Sequence, residues 1–331
     1  MSTLYVTDRE TELVRRGERV LVRRQGKVVA DVPLVQVDQV VIFGNNSLST
    51  PLISLFLEAQ VPVSFLSFNG RFRGRLQPAF SKHAVLRQAQ HRASANPTQT
   101  LELARRFVVG KIHNQRARLL RAERAGNAST ADVARSLAQL IPIAERASDL
   151  DSLRGAEGLA ARAYFSVMPE LVGRHGFSFE RRTRRPPRDP VNAMLSFSYS
   201  LLQSTVDAAV NAVGFDPYTG YLHGTRYGKP SLVLDLMEEF RPVIADAVVT
   251  ALINKRMVGP SDFVERFGAV EMGDAARRAF LQAYEDKVRD EIKHPIFGYK
   301  VSLRRCVELQ ARILAKTLLG ELERYEPFRI R

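Results

Sequence analysis

Residues 61–104, VPVSFLSFNGRFRGRLQPAFSKHAVLRQAQHRASANPTQTLELA, contain the change of pattern that decides the fold. Up to Leu76, apolar and polar residues alternate with a period of two, and the pair Asn69-Gly70 is typical of a β-hairpin turn. From about residue 83 the apolar residues recur with the 3.6-residue period of an α-helix. Asn96-Pro97 then favours a helix start, because proline fits the first helical position, where the backbone N–H has no partner. The sequence therefore predicts a β domain that ends near residue 82 and a helical domain after it.

The chain before this stretch consists of short segments rich in β-branched residues. Polar turns at Gly17 and Gly26 separate the first segments, and glycine supplies the positive φ that tight hairpins need. This pattern predicts an antiparallel meander. Ser49-Thr50-Pro51 predicts one short helix to about Glu58, with Thr50 as its cap.

The chain after this stretch carries helix signals throughout. Start signals at Asp149 or Asp151, Asp189-Pro190, Ser231, Asp274 and Lys300, together with the helix at Asn96-Pro97 and a run from about 130 to 147, predict an all-α domain. The run from Ser231 to about Arg256 contains Pro242. The predicted fold class is α+β, with a small β domain at residues 1–82 and a larger all-α domain at 83–331.

The charge of the chain points to a polyanionic partner. The 331 residues carry a formal net charge of +14, while 45% hydrophobic and 25% charged residues are ordinary for a folded chain. The segment from Arg71 to Arg124 contains thirteen Lys and Arg residues but only two acidic residues. A second cluster, of six arginines, spans residues 174–188. Arginine outnumbers lysine in both clusters, and its planar fork matches phosphate oxygens two at a time. A nucleic-acid backbone is the expected ligand, although a solvated helix face plus a basic loop would also explain the pattern.

Several other classes of protein are not indicated. The single Cys306 excludes an internal disulfide framework and a cysteine-based zinc site, and we expect it to be a buried apolar residue. Neither a secretory signal nor an apolar run of about 20 residues is present, so we expect a cytoplasmic protein without membrane partners. The segment Gly224–Ser231 lacks the spacing of a nucleotide-binding phosphate loop, and Pro230 lies where Ser or Thr is required.

A small set of polar residues could carry chemistry. His223 lies in a predicted tight loop between two helices, and Asp235 and Glu238 stand three apart on the next helix, so they share a face. Glu157 is flanked by Gly155 and Gly158, which would let a helix or a ligand approach closely. One imidazole and two or three carboxylates suit Mn²⁺ or Mg²⁺. Each of these residues could equally be an ordinary loop or helix-pairing residue, and spacing alone does not connect them.

A resemblance connects them. The chain resembles the CRISPR-associated endonuclease/integrase of spacer acquisition, the universal protein one of CRISPR loci, over nearly its whole length. The stretches that carry the resemblance in the first domain are 33–44, 49–52, 61–66 and 70–74; those in the second are 154–158, 184–202, 220–223 and 231–242.

The resemblance implies a role for particular residues. Glu157, His223 and Glu238 match the family's catalytic metal ligands for Mn²⁺ or Mg²⁺, and Asp235 matches a second acidic position near the metal. Which carboxylate of that helix binds directly stays open. The DNA-contacting residues that we predict are Arg71, Arg73, Arg184, Arg185, Asn192, Ser196 and Tyr199.

The resemblance also implies architecture, reaction and partners. It predicts a β-sandwich-like first domain that pairs in a homodimer, a helical catalytic domain, and a complex with the small CRISPR-associated protein two. The expected reaction is insertion of short foreign DNA (spacers) into the CRISPR array, by attack of a prespacer 3′-OH on a repeat phosphodiester. A non-catalytic DNA-binding scaffold is the alternative, and an RNA-binding protein is a third interpretation.

Overall fold

The computed structural model describes residues 2–78, 83–172, 175–224 and 226–330. The chain divides into two compact units, Met1–Ser81 and Lys82–Arg331. Four features named from the sequence lie outside the described residues: the predicted boundary at residue 82, Lys82 and Arg174 of the basic clusters, and Thr225 of the rejected phosphate loop.

The described residues of the N-terminal unit form two four-stranded sheets, one α-helix and a short 3-10 helix at Leu34–Gln36. Their bounds are β1 Ser2–Val6, β2 Thr11–Arg16, β3 Arg19–Arg24, β4 Lys27–Pro33, β5 Val37–Phe43, β6 Ser47–Leu48, α1 Thr50–Glu58, β7 Val63–Leu66 and β8 Phe72–Leu76. The strand orders are β1-β5-β7-β8 and β4-β3-β2-β6.

The predicted meander is right for one part of this unit and wrong for another. Strands β2, β3 and β4 pair antiparallel through turns at Gly17 (φ +60°) and Gly26 (φ +76°), and β7 pairs antiparallel with β8 through Gly70 (φ +83°). However, β5 pairs in parallel with both β1 and β7. Alternation reports which side chains are buried and not strand direction, and the α1 segment provides the crossover that a parallel pair needs.

Both sheets contribute to one apolar core. Val40 and Ile42 of β5 and Val20 and Leu13 of the other sheet belong to the same buried cluster, together with Phe56 of α1. Two sheets that share an apolar interior make this unit sandwich-like, as the resemblance implied.

The second unit is mainly helical. Its helices are α2 Ala84–Ala95, α3 Pro97–Arg124, α4 Thr130–Glu145, α5 Leu150–Ser166, α6 Met168–Val172, α7 Pro190–Val213, α8 Ser231–Phe240, α9 Asp246–Asn254, α10 Asp274–Arg289 and α11 Leu303–Leu318. The predicted helical domain is confirmed, and it also contains two short antiparallel hairpins that were not predicted, β9 Phe263–Arg266 with β10 Ala269–Met272 and β11 Glu291–Lys293 with β12 Lys300–Ser302. Strands of three or four residues are too short to show a period of two.

The capping signals locate most helix starts. The side chain of Asn96 accepts hydrogen bonds from the backbone N–H groups of residues 98 and 99, and Asp149 and Asp189 accept the corresponding bonds at α5 and α7. Two caps were predicted wrongly: Ser49, and not Thr50, is the N-cap residue of α1, and Ser231 is the first residue of α8. Lys300 belongs to β12, and α11 is capped by Ser302.

The helix predicted from Ser231 to about Arg256 is divided in the structure. Helix α8 ends at Phe240, one π-helical turn spans Arg241–Ala245, and α9 follows. Pro242 lacks the N–H that an α-helix requires there, and a wider turn accommodates its ring. Within the described ranges, no helix is both long and apolar enough to span a bilayer.

Candidate active site

Four side chains from three helices and one loop converge in the helical unit. Lys111 lies on α3, Glu157 on α5 and Glu238 on α8, and α3 packs against both other helices. His223 lies in the loop between α7 and α8. The structure thus brings together the three predicted metal ligands, which are separated by 66 and 15 positions in the sequence, together with a lysine that was not predicted.

The lysine ammonium lies between the two glutamates. Lys111 Nζ donates a hydrogen bond to Glu157 Oε1 and lies 2.7 Å from Glu238 Oε2. The second contact is an ion pair without hydrogen-bond geometry, so Glu238 Oε2 has no hydrogen-bond partner despite its burial. His223 Nε2 lies 3.8 Å from Glu238 Oε1, which is also 3.1 Å from Arg241 Nε. Among the described residues, no three acidic, imidazole or thiol side chains are already arranged as a metal site.

Asp235 holds the His223 loop in place. This fully buried carboxylate accepts backbone N–H groups from Tyr221 (2.6 Å), Leu222 (3.0 Å) and His223 (3.0 Å), and it lies 2.7 Å from His223 Nδ1. Because Nδ1 faces a carboxylate, it carries the proton of the neutral imidazole, and Nε2 is left with its lone pair. The imidazole therefore presents Nε2 toward Glu238.

Close packing also requires glycine in this loop. A Cβ at Gly220 would lie 2.7 Å from backbone and side-chain atoms of Ser231 and 2.8 Å from Asp235 Oδ2. On the other side, Arg154 of α5 donates to the carbonyl of Leu222 at 2.9 Å. The loop is thus attached both to α8 and to the helix that carries Glu157.

The electrostatics of the cluster keep Glu238 and Lys111 charged. Burial alone would raise the pKa of Glu238, but the charges of Arg241 and Lys111 outweigh burial and hold this pKa well below its usual value. Burial alone would lower the pKa of Lys111, but the charges of Glu238 and Glu157 raise it above its usual value. Glu157 and His223 keep side-chain exposures of 28% and 25%, against 4% for Glu238, so the cluster is open to solvent on their side.

The two glycines beside Glu157 have open surroundings. A Cβ at Gly155 or at Gly158 would meet no heavy atom of the described residues within 4 Å. Of the two interpretations of these glycines, close approach of a helix finds no support here, and the exposed face next to Glu157 stays accessible to a ligand.

Three of the predicted DNA-contacting residues, Asn192, Ser196 and Tyr199, contact the side chain of Arg182. Asn192 is fully buried, and its Oδ1 accepts from Arg182 Nη1 (2.7 Å) and from the N–H of Thr183 (2.9 Å). Ser196 accepts from Arg182 Nη2 at 3.1 Å, and the Arg182 guanidinium lies 5.3 Å from the ring centre of Tyr199. In this arrangement Asn192, Ser196 and Tyr199 position the segment 181–189 through their contacts with the half-buried Arg182.

Tyr199 also connects this segment to the cluster. Its ring lies 4.7 Å from the guanidinium of Arg241, which contacts Glu238, and its hydroxyl donates to Asp246 Oδ1 at 2.7 Å. Burial and the Asp246 charge raise the pKa of Tyr199, so the phenol stays protonated and remains a donor. Arg184 and Arg185 of the segment 181–189 are exposed, and so are Arg71 and Arg73 of the N-terminal unit.

Lys111, Arg182 and Arg241 are the residues that sequence reasoning did not assign. Lys111 interrupts the apolar run Phe107–Ile112, and a charge inside such a run indicates a buried partner. Arg241 stands three residues after Glu238, directly after the end of α8, and this spacing places the two side chains on one side of the helix axis. No comparable signal distinguishes Arg182 from its neighbouring arginines.

A sandwich-like β unit and a larger helical unit that gathers one imidazole with two glutamates are the features that the resemblance to CRISPR spacer-acquisition proteins implied. The chain belongs to the family described as CRISPR associated protein Cas1, whose family model matches residues 4–286. It is 42% identical to the CRISPR-associated endonuclease Cas1 3 of Thermus thermophilus, over all of this chain and 98% of that protein.

Solved structures agree with this assignment. The Cas1 protein TM1797 of Thermotoga maritima has a TM-score of 0.83 and 27% identity, over 97% of each chain. Two further structures share the fold at lower identity. A casposase bound to its integration product has a TM-score of 0.85 and 22% sequence identity, over 98% of this chain and 93% of the casposase chain. A chain of a Cas6-RT-Cas1–Cas2 complex has a TM-score of 0.83 and 23% sequence identity, over 100% of this chain and 36% of the chain in that complex.

Proposed function

We propose that this protein is a metal-dependent DNA endonuclease and integrase that inserts spacers into a CRISPR array. The observation that carries the proposal is the convergence of Glu157, His223 and Glu238 from two helices and a loop, beside a segment of exposed arginines. The Thermus relative is named an endonuclease, and the casposase structure holds an integration product.

The residues of the cluster fit a divalent ion. Two carboxylates and one imidazole nitrogen are donors that Mn²⁺ and Mg²⁺ accept, and the carboxylates already face one shared cation. Glu238 Oε2 is buried and already pairs with a cation, the Lys111 ammonium at 2.7 Å. Glu157, His223 and Glu238 would hold the metal. When bound, the ion would polarise the scissile phosphate and lower the pKa of a hydroxyl or water at the site.

Glu238, and not Asp235, is the direct ligand from α8 in this proposal. Both oxygens of Asp235 already accept hydrogen bonds from the 221–223 backbone and from the His223 ring, which leaves no oxygen directed at the cluster. Asp235 then acts on the metal through His223, because it fixes the ring orientation and the tautomer that leaves Nε2 unprotonated. Arg241 would orient the Glu238 carboxylate in a comparable way, because its Nε lies 3.1 Å from Glu238 Oε1.

The chain's own residues would bind and align DNA at this site. Arg184 and Arg185 would contact backbone phosphates there, and Arg182 would be held by Asn192, Ser196 and Tyr199. In the N-terminal unit, taken by itself, we propose Arg71 and Arg73 as phosphate contacts. With water as nucleophile, the P–O bond breaks by hydrolysis. With a prespacer 3′-OH as nucleophile, a new P–O bond forms to that oxygen, and the repeat strand leaves with a free 3′-OH.

Partners follow from the same proposal. DNA is the substrate, as prespacer and as CRISPR repeat, and the β unit would pair in a homodimer. One of the structures that share the fold is a Cas6-RT-Cas1–Cas2 complex, and we propose the corresponding small protein, Cas2, as a partner here. No observation favours the alternative of a non-catalytic DNA scaffold.

A half-site integration assay tests the proposal. Purified protein, with and without its Cas2 partner, is incubated with a prespacer and a supercoiled plasmid that carries the repeat, with Mn²⁺ or Mg²⁺. We expect wild-type protein and the exposed-histidine control His83→Ala to nick and join the repeat, and His223→Ala to do neither while DNA affinity stays within about twofold. Integration by His223→Ala with Mn²⁺ would remove the metal assignment, and DNA binding by wild-type protein without any metal-dependent cleavage would favour the scaffold.

A further inference from the structure

Lys111 occupies an unusual place in the candidate active site. Its side chain is 9% exposed, it lies on the buried face of α3, and its ammonium contacts a carboxylate oxygen from each of two other helices. The ammonium is therefore shared between the two glutamates that would hold a divalent ion.

The oxygens that Lys111 contacts are the ones that a shared metal ion would use. Glu238 Oε1 lies 3.1 Å from Arg241 Nε, whereas Glu238 Oε2 and Glu157 Oε1 both face the ammonium. A Mg²⁺ ion binds oxygen at about 2.0–2.1 Å and requires a near-octahedral shell. An ammonium 2.7 Å from Glu238 Oε2 excludes such an ion from the same position.

The ammonium also explains how the cluster stays intact without an ion. Glu238 is nearly fully buried, and without a cation its carboxylate and that of Glu157 would repel each other strongly. Lys111 and Arg241 together supply two positive charges against the two glutamates. Lys111 therefore pairs with the same two glutamates whose charge a bound metal ion would neutralise.

We propose that Lys111 is an internal cation that competes with the divalent metal for Glu157 and Glu238, so that metal binding displaces its ammonium. This inference rests on the proposed function, because it takes these glutamates as metal ligands. It makes Lys111 a determinant of metal affinity: the lysine balances the charge of the two glutamates, and it weakens the binding of the ion that replaces it.

The first test is a titration of Mn²⁺ followed by calorimetry and by the electron paramagnetic resonance signal of free Mn²⁺. Lys111→Met removes the ammonium and keeps an unbranched side chain, and Lys316→Met is the matched control on the exposed face of α11. We expect Lys111→Met to bind Mn²⁺ roughly tenfold more tightly than wild-type protein. Lys316→Met should bind it as wild type does. Unchanged or weaker binding by Lys111→Met would overturn the inference and leave the proposed function standing.

A second test needs no variant. Reductive methylation of wild-type protein, read by mass spectrometry at each lysine, reports how accessible each amine is. We expect methylation of Lys111 to be low without metal and to rise severalfold with saturating Mn²⁺, while Lys316 stays constant. No change at Lys111 would overturn the inference. Absence of any Mn²⁺ binding by wild-type protein in the first test would instead contradict the metal site itself.

Discussion

His223 Nδ1 lies 2.7 Å from Oδ1 of the fully buried Asp235, and the same carboxylate accepts three backbone N–H groups of the loop that carries the histidine. One side chain thus fixes both the path of the loop and the orientation of its imidazole. In this respect Asp235 resembles the carboxylates that orient metal-binding histidines from behind.

The change Asp235→Asn should therefore affect metal binding without removing a ligand. The amide NH₂ group replaces one acceptor oxygen and meets N–H donors, which should lower the free energy of unfolding by about 1–3 kcal/mol. Loss of the Nδ1 contact frees the ring, and Mn²⁺ affinity should fall by about 10- to 100-fold. Calorimetric titration and a urea unfolding curve measure the two effects. Asp274→Asn, on the exposed first turn of α10, is the control, and wild-type Mn²⁺ affinity in Asp235→Asn would show that the histidine needs no such support.

The exposed arginines beside the cluster should contribute to DNA affinity through phosphate contacts. In the double variant Arg184→Ala/Arg185→Ala, the slope of log affinity against log salt concentration should become shallower by about 1.8, because two phosphate contacts are lost. Fluorescence anisotropy with a labelled prespacer between about 50 and 200 mM salt measures this slope. The double variant Arg305→Ala/Arg312→Ala removes the same charge from α11, where both arginines pair with Glu308, and should leave the slope unchanged. Equal effects of the two variants would show that only net charge matters.

Gly110 should be required for the stability of the helical unit. A Cβ at this position of α3 would lie 2.8 Å from Pro327 Cβ and 3.1 Å from Glu239 Cγ. The C-terminal segment is held at this point, since Glu239 accepts the N–H of Phe328 at 2.6 Å and the hydroxyl of Tyr325 at 2.7 Å. Overpacking in Gly110→Ala should lower the free energy of unfolding by about 1–3 kcal/mol.

The control for this prediction is Gly155→Ala, a helical glycine on α5 whose Cβ would meet no described atom. Alanine there should be neutral or stabilising by up to about 1 kcal/mol, because it has the higher helix propensity. Urea unfolding followed by circular dichroism compares the two variants. A stabilised Gly110→Ala would show that the C-terminal segment can move away from α3.

The helix starts and the hairpin turns can be predicted from the sequence because their signals are local. Asn96, Asp149 and Asp189 cap helices with their own side chains, and Gly17 and Gly26 adopt the positive φ that their turns need. The direction of strands is different. The parallel pairing of β5 with β1 and β7 depends on where the intervening segments run, and no residue of β5 encodes it.

The same distinction applies to the candidate site. Residue types and family resemblance predict Glu157, His223 and Glu238 together, although spacing alone does not. The lysine between them escapes both lines of reasoning, because its partners lie 46 and 127 positions away and only the packing of α3 against α5 and α8 brings them into contact.

By itself, the sequence determined which kinds of group are present: a basic chain, β-rich at first and then helical, with an imidazole and acids suited to a divalent ion. The tertiary structure alone decided which oxygen of which acid faces which cation, and so separated Asp235 behind the histidine from Glu238 beside the ammonium. The physical reason is that hydrogen bonds and ion pairs act over about 3 Å. Which groups come that close is set by the packing of whole helices.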